Sequence, residues 1–222
     1  MAKICLFLNV THVDTQPPFV MQHEPIRTLF SRNHDTVFPK LGVFLAGATP
    51  SEENLKTGWR RKVIQKLTED KRLNPSMIVV SPEPETGKWA DIDNKNPQTE
   101  LEAVRDKQIT WELQYLQLCD ITAFWLPAYW TKEKSGVFDA KIAPTSRLEF
   151  GYFLQEYIKN PLKRKFIVGS PEDADSIKWA KKIADIHGIK WHFLKTENKH
   201  QFVADSFIEE IATTLIGNKW EY

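Results

Sequence analysis

A chain of 222 residues suits one α/β domain with elaborations better than two full domains. Hydrophobic residues make up 41% and charged residues 27%, the composition of an ordinary globular chain, which excludes a disordered or fibrous one. Thirty Lys and Arg against twenty-nine Asp and Glu leave a net charge of +1, so no global field argues for nucleic acid or an anionic membrane as partner.

In chain order, "KICLFLNV" (3–10) is the first predicted strand. It is too short, and lacks the small-residue cleavage site, for a signal peptide to be expected. Residues 11–40 carry Pro17, Pro18, Pro25 and Pro39 with no clear period and are read as an irregular insertion. "LGVFLAGA" (41–48) is the next strand, followed by a helix over 51–70 that opens on Ser51 after Pro50. "SMIVVS" (76–81) is a strand, and 99–118 is a helix with Thr99 and Glu102 in capping-box spacing. "DITAFWLP" (120–127) is the fourth strand, and the loop 128–144 is a candidate active-site lid. A helix over 145–158, a strand over 164–170, a helix over 173–188 closed by Gly188, a strand over 189–195 and a helix over 201–218 closed by Gly217 complete the chain. Apolar runs without alternation, separated by helices, predict a Rossmann-like or flavodoxin-like three-layer sandwich around a mainly parallel sheet of five or six strands. No stretch approaches the roughly 18 apolar residues of a membrane span. Cys5 and Cys119 both lie in apolar runs, which excludes a disulfide framework and predicts buried free thiols in a reducing cytoplasm.

The loops after the strands converge on one rim, where ligands of open α/β sheets bind. Near that rim stands Glu149, with Phe150, Phe153 and Tyr157 at +1, +4 and +8. If Thr145 or Ser146 caps its helix, Glu149 lies in the first turn, where the dipole favours an ionised carboxylate. Such an acid can merely complement the dipole, but an inward-facing side argues for use, and Gly151 permits close approach to the backbone. Glu112, in "ITWELQYLQLCD", is the second candidate. A mid-helix Glu usually faces solvent, yet two carboxylates over an apolar floor are what glycosyl transfer through a covalent intermediate uses.

Other constellations fail. The six histidines show no metal-ligand spacing, and no metal or other cofactor is implied. "LAGATP" is neither a GxGxxG nor a Walker loop, and no GxSxG elbow occurs. The basic runs "WRRK" (59–62) and "KRK" (163–165) read first as solvated or dipole-complementing groups. Trp59, Trp89, Trp111, Trp125 and Trp130 cluster near the rim, where some would stack on a nucleobase, although core packing explains each one singly.

"VFLAGATP" (43–50), "WRRKVIQKL" (59–67), "VVSPE" (79–83), "ITWELQYLQLCDITAFWLP" (109–127) and "TSRLEFGYFL" (145–154) resemble, in that order, the nucleoside 2-deoxyribosyltransferase superfamily, in particular its divergent deoxyribosyltransferase-like branch. The resemblance implies a Rossmann-like sandwich and cleavage of a nucleoside N-glycosidic bond by a glutamate nucleophile, with transfer of the deoxyribosyl group to a base or to water. Glu149 matches the nucleophile, and Glu112 matches an orienting acid that is Asp in typical members. Phe44 and Gly47 match the family's "YLAG", with a hydroxyl missing at Phe44. Trp59 and Phe44 would wall the base, and Arg60 or Arg147 would meet a phosphate. Ala143 stands where typical members carry an acid that serves the base, so Asp139 or Glu83 is a possible replacement. Relatives that hydrolyse nucleoside monophosphates use hydroxyls at a helix start, which Thr145 and Ser146 would supply beside Arg147. The family forms homo-oligomers in which a neighbour's C-terminus completes the site, a part Tyr222 would take. A catalytically silent nucleotide-binding or sensor module is the alternative, and NAD glycohydrolysis a third reading without a dinucleotide signature.

Overall fold

Strands that are apolar on both faces need cover on both sides, and helices packed on each face of a parallel sheet supply it. The computed structural model describes residues 24–31, 41–49, 58–88, 101–129, 144–175 and 177–217. Within them one sheet contains β1 (Arg27–Phe30), β2 (Leu41–Gly47), β3 (Met77–Ser81), β4 (Ile121–Trp125), β5 (Lys165–Pro171) and β6 (Trp191–Leu194). Every pairing is parallel, in the order β1-β3-β2-β4-β5-β6. The helices are α1 (Trp59–Glu69), α2 (Leu101–Leu118), α3 (Pro144–Lys159), α4 (Lys178–Ile186) and α5 (Asp205–Gly217).

Leaving aside β1, the outermost strand among the described residues, this is the flavodoxin-like order. The chain runs outward from β2 to β3, then returns past β2 to β4. The topological switch point therefore lies between the carboxyl ends of β2 and β4, where a doubly wound sheet opens a crevice.

Alternation along each strand sorts the side chains into two cores. Val43 and Leu45 of β2 join Val63 and Leu67 of α1 and Phe207, Ile211 and Leu215 of α5. Phe44 and Ala46 join Trp111 and Tyr115 of α2, Phe150, Phe153 and Leu154 of α3, and Ala180 and Ala184 of α4. Each large side chain so buried contributes roughly 1.5–3 kcal/mol, which makes the sheet a rigid base for what sits on its rim.

Several expectations change. The segment 11–40, read as irregular, contains β1, whose residues pair from Arg27 with Ile78 to Phe30 with Ser81. Only Leu29 of its four residues is buried, so no apolar period marks it. The helix expected over 173–188 starts at Lys178, because Asp173 and Asp175 are held in the turn before it. Asp173 accepts from the Tyr129 hydroxyl at 2.9 Å, and the Asp175 N–H donates to the Ala128 carbonyl at 2.7 Å. That helix does stop before Gly188, whose φ of 67° suits a left-handed cap. A 3-10 turn over Thr196–Gln201 precedes α5, which begins at Asp205 rather than at 201. Cys119 is a buried free thiol as expected, pushed well up by burial. No helix of the described residues is long and apolar enough to cross a membrane. The predicted strand over 3–10, Cys5, Ser51, Thr99, Trp89, Trp130, Asp139, Ala143 and Tyr222 lie outside the described residues, as does most of the loop 128–144.

Candidate active site

The switch point is built around Gly47 at the end of β2. Its φ is 133°, and a Cβ there would lie 2.0 Å from the Trp125 carbonyl oxygen of β4, so only glycine fits. The Gly47 carbonyl turns toward α1 and accepts from Arg60 Nη2 at 2.5 Å. Arg60 Nε donates to the Leu45 carbonyl at 2.9 Å, and Nη1 donates to Glu83 Oε1 at 2.7 Å. Arg60 is 1% exposed and Glu83, in the loop after β3, 0%. The neighbouring Arg61 stacks on the Phe30 ring at 4.5 Å and donates to the Pro84 carbonyl. The run "WRRK" is therefore not a solvated face. Its first three residues bind α1 to the loops after β2 and β3, with Trp59 Nε1 donating to the Ala48 carbonyl at 3.0 Å. In "KRK", by contrast, Arg164 donates to the Leu116 and Gln117 carbonyls at the end of α2, the expected dipole-complementing role.

Helices α2 and α3 bring the two candidate glutamates onto this pair. Glu112 is half-buried and accepts from Gln108 Nε2, one turn earlier on α2, at 2.6 Å. Its pKa is raised, first by burial, while Gln108 and the Arg60 charge pull it back. Glu149, also half-buried, is pushed up to about 7 by burial and then by the nearby charge of Glu112, with Arg60 again opposing. The expectation of an ionised carboxylate held by the helix start is thus corrected. Helix α3 begins at Pro144, which puts Glu149 in its second turn, beyond the reach of the terminal dipole. Glu149 feels the charge of Glu112, and both feel Arg60, which is paired with Glu83.

Other candidates are placed differently. Phe44 and Trp59 are each 2% exposed and pack into the two opposite cores, so neither ring offers a free face to a base. Trp111 and Trp125 are core residues as well. Arg60 is engaged by two carbonyls and Glu83 rather than open to a phosphate. Thr145 is exposed, Ser146 buried and Arg147 half-buried along the start of α3. A Cβ on Gly151 would meet nothing within 4 Å, so no close approach explains that glycine.

Comparison with known proteins decides the family. A model described as "Nucleoside 2-deoxyribosyltransferase like" matches residues 40–162, more than half of the chain. The chain belongs to this nucleoside 2-deoxyribosyltransferase-like family. No curated protein matches it. The family segment runs from β2 through α3 and so contains both glutamates and the Arg60–Glu83 pair, while β1 lies before it.

Two residues of the site escaped sequence reasoning. Gln108 stands four residues before Glu112, a spacing that makes helical neighbours and was the available signal. Ser31, whose hydroxyl donates to Gln108 Oε1 at 2.5 Å, lies in the segment read as irregular and gave none.

Proposed function

We propose that this protein cleaves the N-glycosidic bond of a nucleoside or nucleotide and passes the ribosyl or deoxyribosyl group to a base or to water. A carboxylate oxygen of Glu149 attacks the anomeric carbon as the bond to the base nitrogen breaks. The base leaves with that electron pair and takes up a proton. A second base or a water then attacks the same carbon, gives up a proton and releases the carboxylate. Glu112 orients the nucleophile and the sugar. Excess negative charge from the two glutamates favours the positive charge that grows on the sugar in an oxocarbenium-like transition state.

What supports this reading is the half-buried Glu149, raised by burial and by the charge of Glu112, with both glutamates inside the segment that matches the family. Thr145, Ser146 and Arg147 at the start of α3 support a 5′-monophosphate as substrate. Tyr222 of a neighbouring chain would complete the site in a homo-oligomer. That assembly is supported by exposed Ile109 and Leu113 on α2 and Leu148 and Tyr152 on α3. Sedimentation at assay concentration tests it, and a monomer would remove this part of the reading.

The mechanism is tested by incubating the protein with nucleosides and their 5′-monophosphates, with and without a free acceptor base, and following base release and exchange. Glu149→Ala is expected to lower turnover by about 10³-fold or more. Unchanged turnover in that variant would sink the mechanism. Silence of the wild type toward the whole panel would favour a nucleotide-binding module instead.

A further inference from the structure

Gln108 is 8% exposed and sits between three elements. Its Nε2 donates to Glu112 Oε1 at 2.6 Å and to the Pro82 carbonyl, in the loop after β3, at 3.3 Å. Its Oε1 accepts from the Ser31 hydroxyl at 2.5 Å. The chemistry of these neighbours fixes which way the amide points. The Pro82 carbonyl can only accept, so it requires the NH₂ group, and the Ser31 hydroxyl is the donor that the amide oxygen needs. Ser31 is itself held, being 6% exposed with its N–H donating to the Glu83 carbonyl at 3.1 Å. The register of β1 on β3, with Phe30 opposite Ser81, puts Ser31 at the carboxyl rim.

We propose that Ser31 and Gln108 are positioning residues that keep Glu112 as the charged member of the glutamate pair, so that a proton held by the pair in the free protein rests on Glu149, which gives it up to water before its carboxylate attacks. This rests on the proposed function in one respect only, the role given to Glu149. An amide N–H aimed at a carboxylate oxygen favours the ionised form of that carboxylate. A neighbouring carboxyl facing that charge then holds its own proton more tightly, and the two titrate as a coupled pair. Among the described residues, the other charge acting on the pair is Arg60 from α1, itself paired to Glu83 after β3, which lies 4.0 Å from Arg61. Arg60 bears on both glutamates, whereas of the two it is Glu112 that Gln108 bonds. The asymmetry therefore comes from the amide, and the amide is oriented in part by a hydroxyl that precedes the family segment at 40–162. A residue just past β1, outside the matched region, thus reaches into the chemistry of the site.

The test does not depend on turnover. Carboxyl ¹³C titration of the protein without substrate, assigned with Glu112→Gln and Glu149→Gln, is expected to show Glu112 titrating below Glu149. In Gln108→Leu, and to a smaller degree in Ser31→Ala, the Glu112 midpoint rises and the Glu149 midpoint falls toward it. Ser31→Thr, which keeps the hydroxyl, restores the wild-type order. If Glu149 titrates below Glu112 in the wild type, or if folded Ser31→Ala and Gln108→Leu leave both midpoints in place, the proposal is overturned. Where turnover is present, Ser31→Ala is expected to lower kcat about tenfold with KM unchanged and to move the acid limb of the pH profile, as a misaligned general-acid or nucleophile pair does. An altered titration without any turnover would retain the positioning pair and remove the enzymatic reading. Turnover with unaltered titrations would do the reverse.

Discussion

Two clusters in this molecule set one arginine among acidic residues, with opposite consequences. Arg72 bridges Asp70, just past α1, and Glu209 on α5, donating Nε and Nη2 to the first and Nη1 and Nη2 to the second, all within 3.0 Å. The cluster is open to water, with Arg72 48% and Glu209 56% exposed. Its hydrogen bonds hold the Glu209 carboxyl below its usual range. Arg60, by contrast, is closed off and gives Glu83 its carboxylate contact, leaving Glu112 with an amide partner and Glu149 with the repulsion of Glu112. Both of those carboxyls are raised, with burial the first cause. The difference is one of solvent rather than composition. A charge in water is satisfied wherever it falls, but a charge at a buried rim is held against a desolvation cost, and groups so held are the ones available for chemistry.

The largest expected effect breaks that contrast at its arginines. Arg60→Met leaves the buried Glu83 with only the more distant Arg61, 4.0 Å away, and removes the donors to the Leu45 and Gly47 carbonyls, which should cost about 3–5 kcal/mol in urea unfolding. Adding Glu83→Gln should recover a large part of the loss, because the stranded charge is gone. The same substitution at Arg72 is the control and should leave the urea midpoint nearly unchanged, as exposed ion pairs do. Equal losses at the two arginines would show that burial does not separate the clusters.

That contrast also explains what the sequence made legible. The strands from β2 onward announce themselves as unbroken apolar runs, and their parallel pairing follows from helices long enough to cross the sheet, whereas their order was not legible. Strand β1 has one buried residue in four and borrows its conformation from β3, so no local pattern carries it. Glu149 and Glu112 stand out because a charge among aromatic neighbours is visible in one dimension. Arg60 and Glu83 were each visible, but their pairing was not, because they are 23 residues apart and meet only where the ends of β2 and β3 lie side by side. Ser31 and Gln108 are 77 residues apart, and nothing local to either announces the bond. The protonation of Glu149 was misread for a related reason. The helix start was read locally, whereas the carboxyl's state is set by burial and by Glu112 on another helix.

A smaller effect sharpens the comparison by asking what the Glu149 charge costs the fold. In the unfolded chain this carboxyl titrates near 4.5, and in the folded protein at about 7. Between those values the native state binds more protons than the unfolded state, so stability contributed by this group falls as pH rises through that window. Above about pH 7 the full penalty of a buried carboxylate beside Glu112 is present. Glu149→Gln keeps the shape and deletes the charge. It should therefore be more stable than the wild type at pH 8, by on the order of 2 kcal/mol, with the gain vanishing near pH 4.5. Thermal unfolding across that range reads the difference directly. The Arg72 cluster supplies the opposite sign, since the depressed Glu209 contributes stability that is present above its unfolded value and lost as pH falls. A Glu149→Gln variant that is less stable than wild type at pH 8 would mean that the charge is compensated at the rim. It would then be a structural acid, like those around Arg72, and not a nucleophile held under strain.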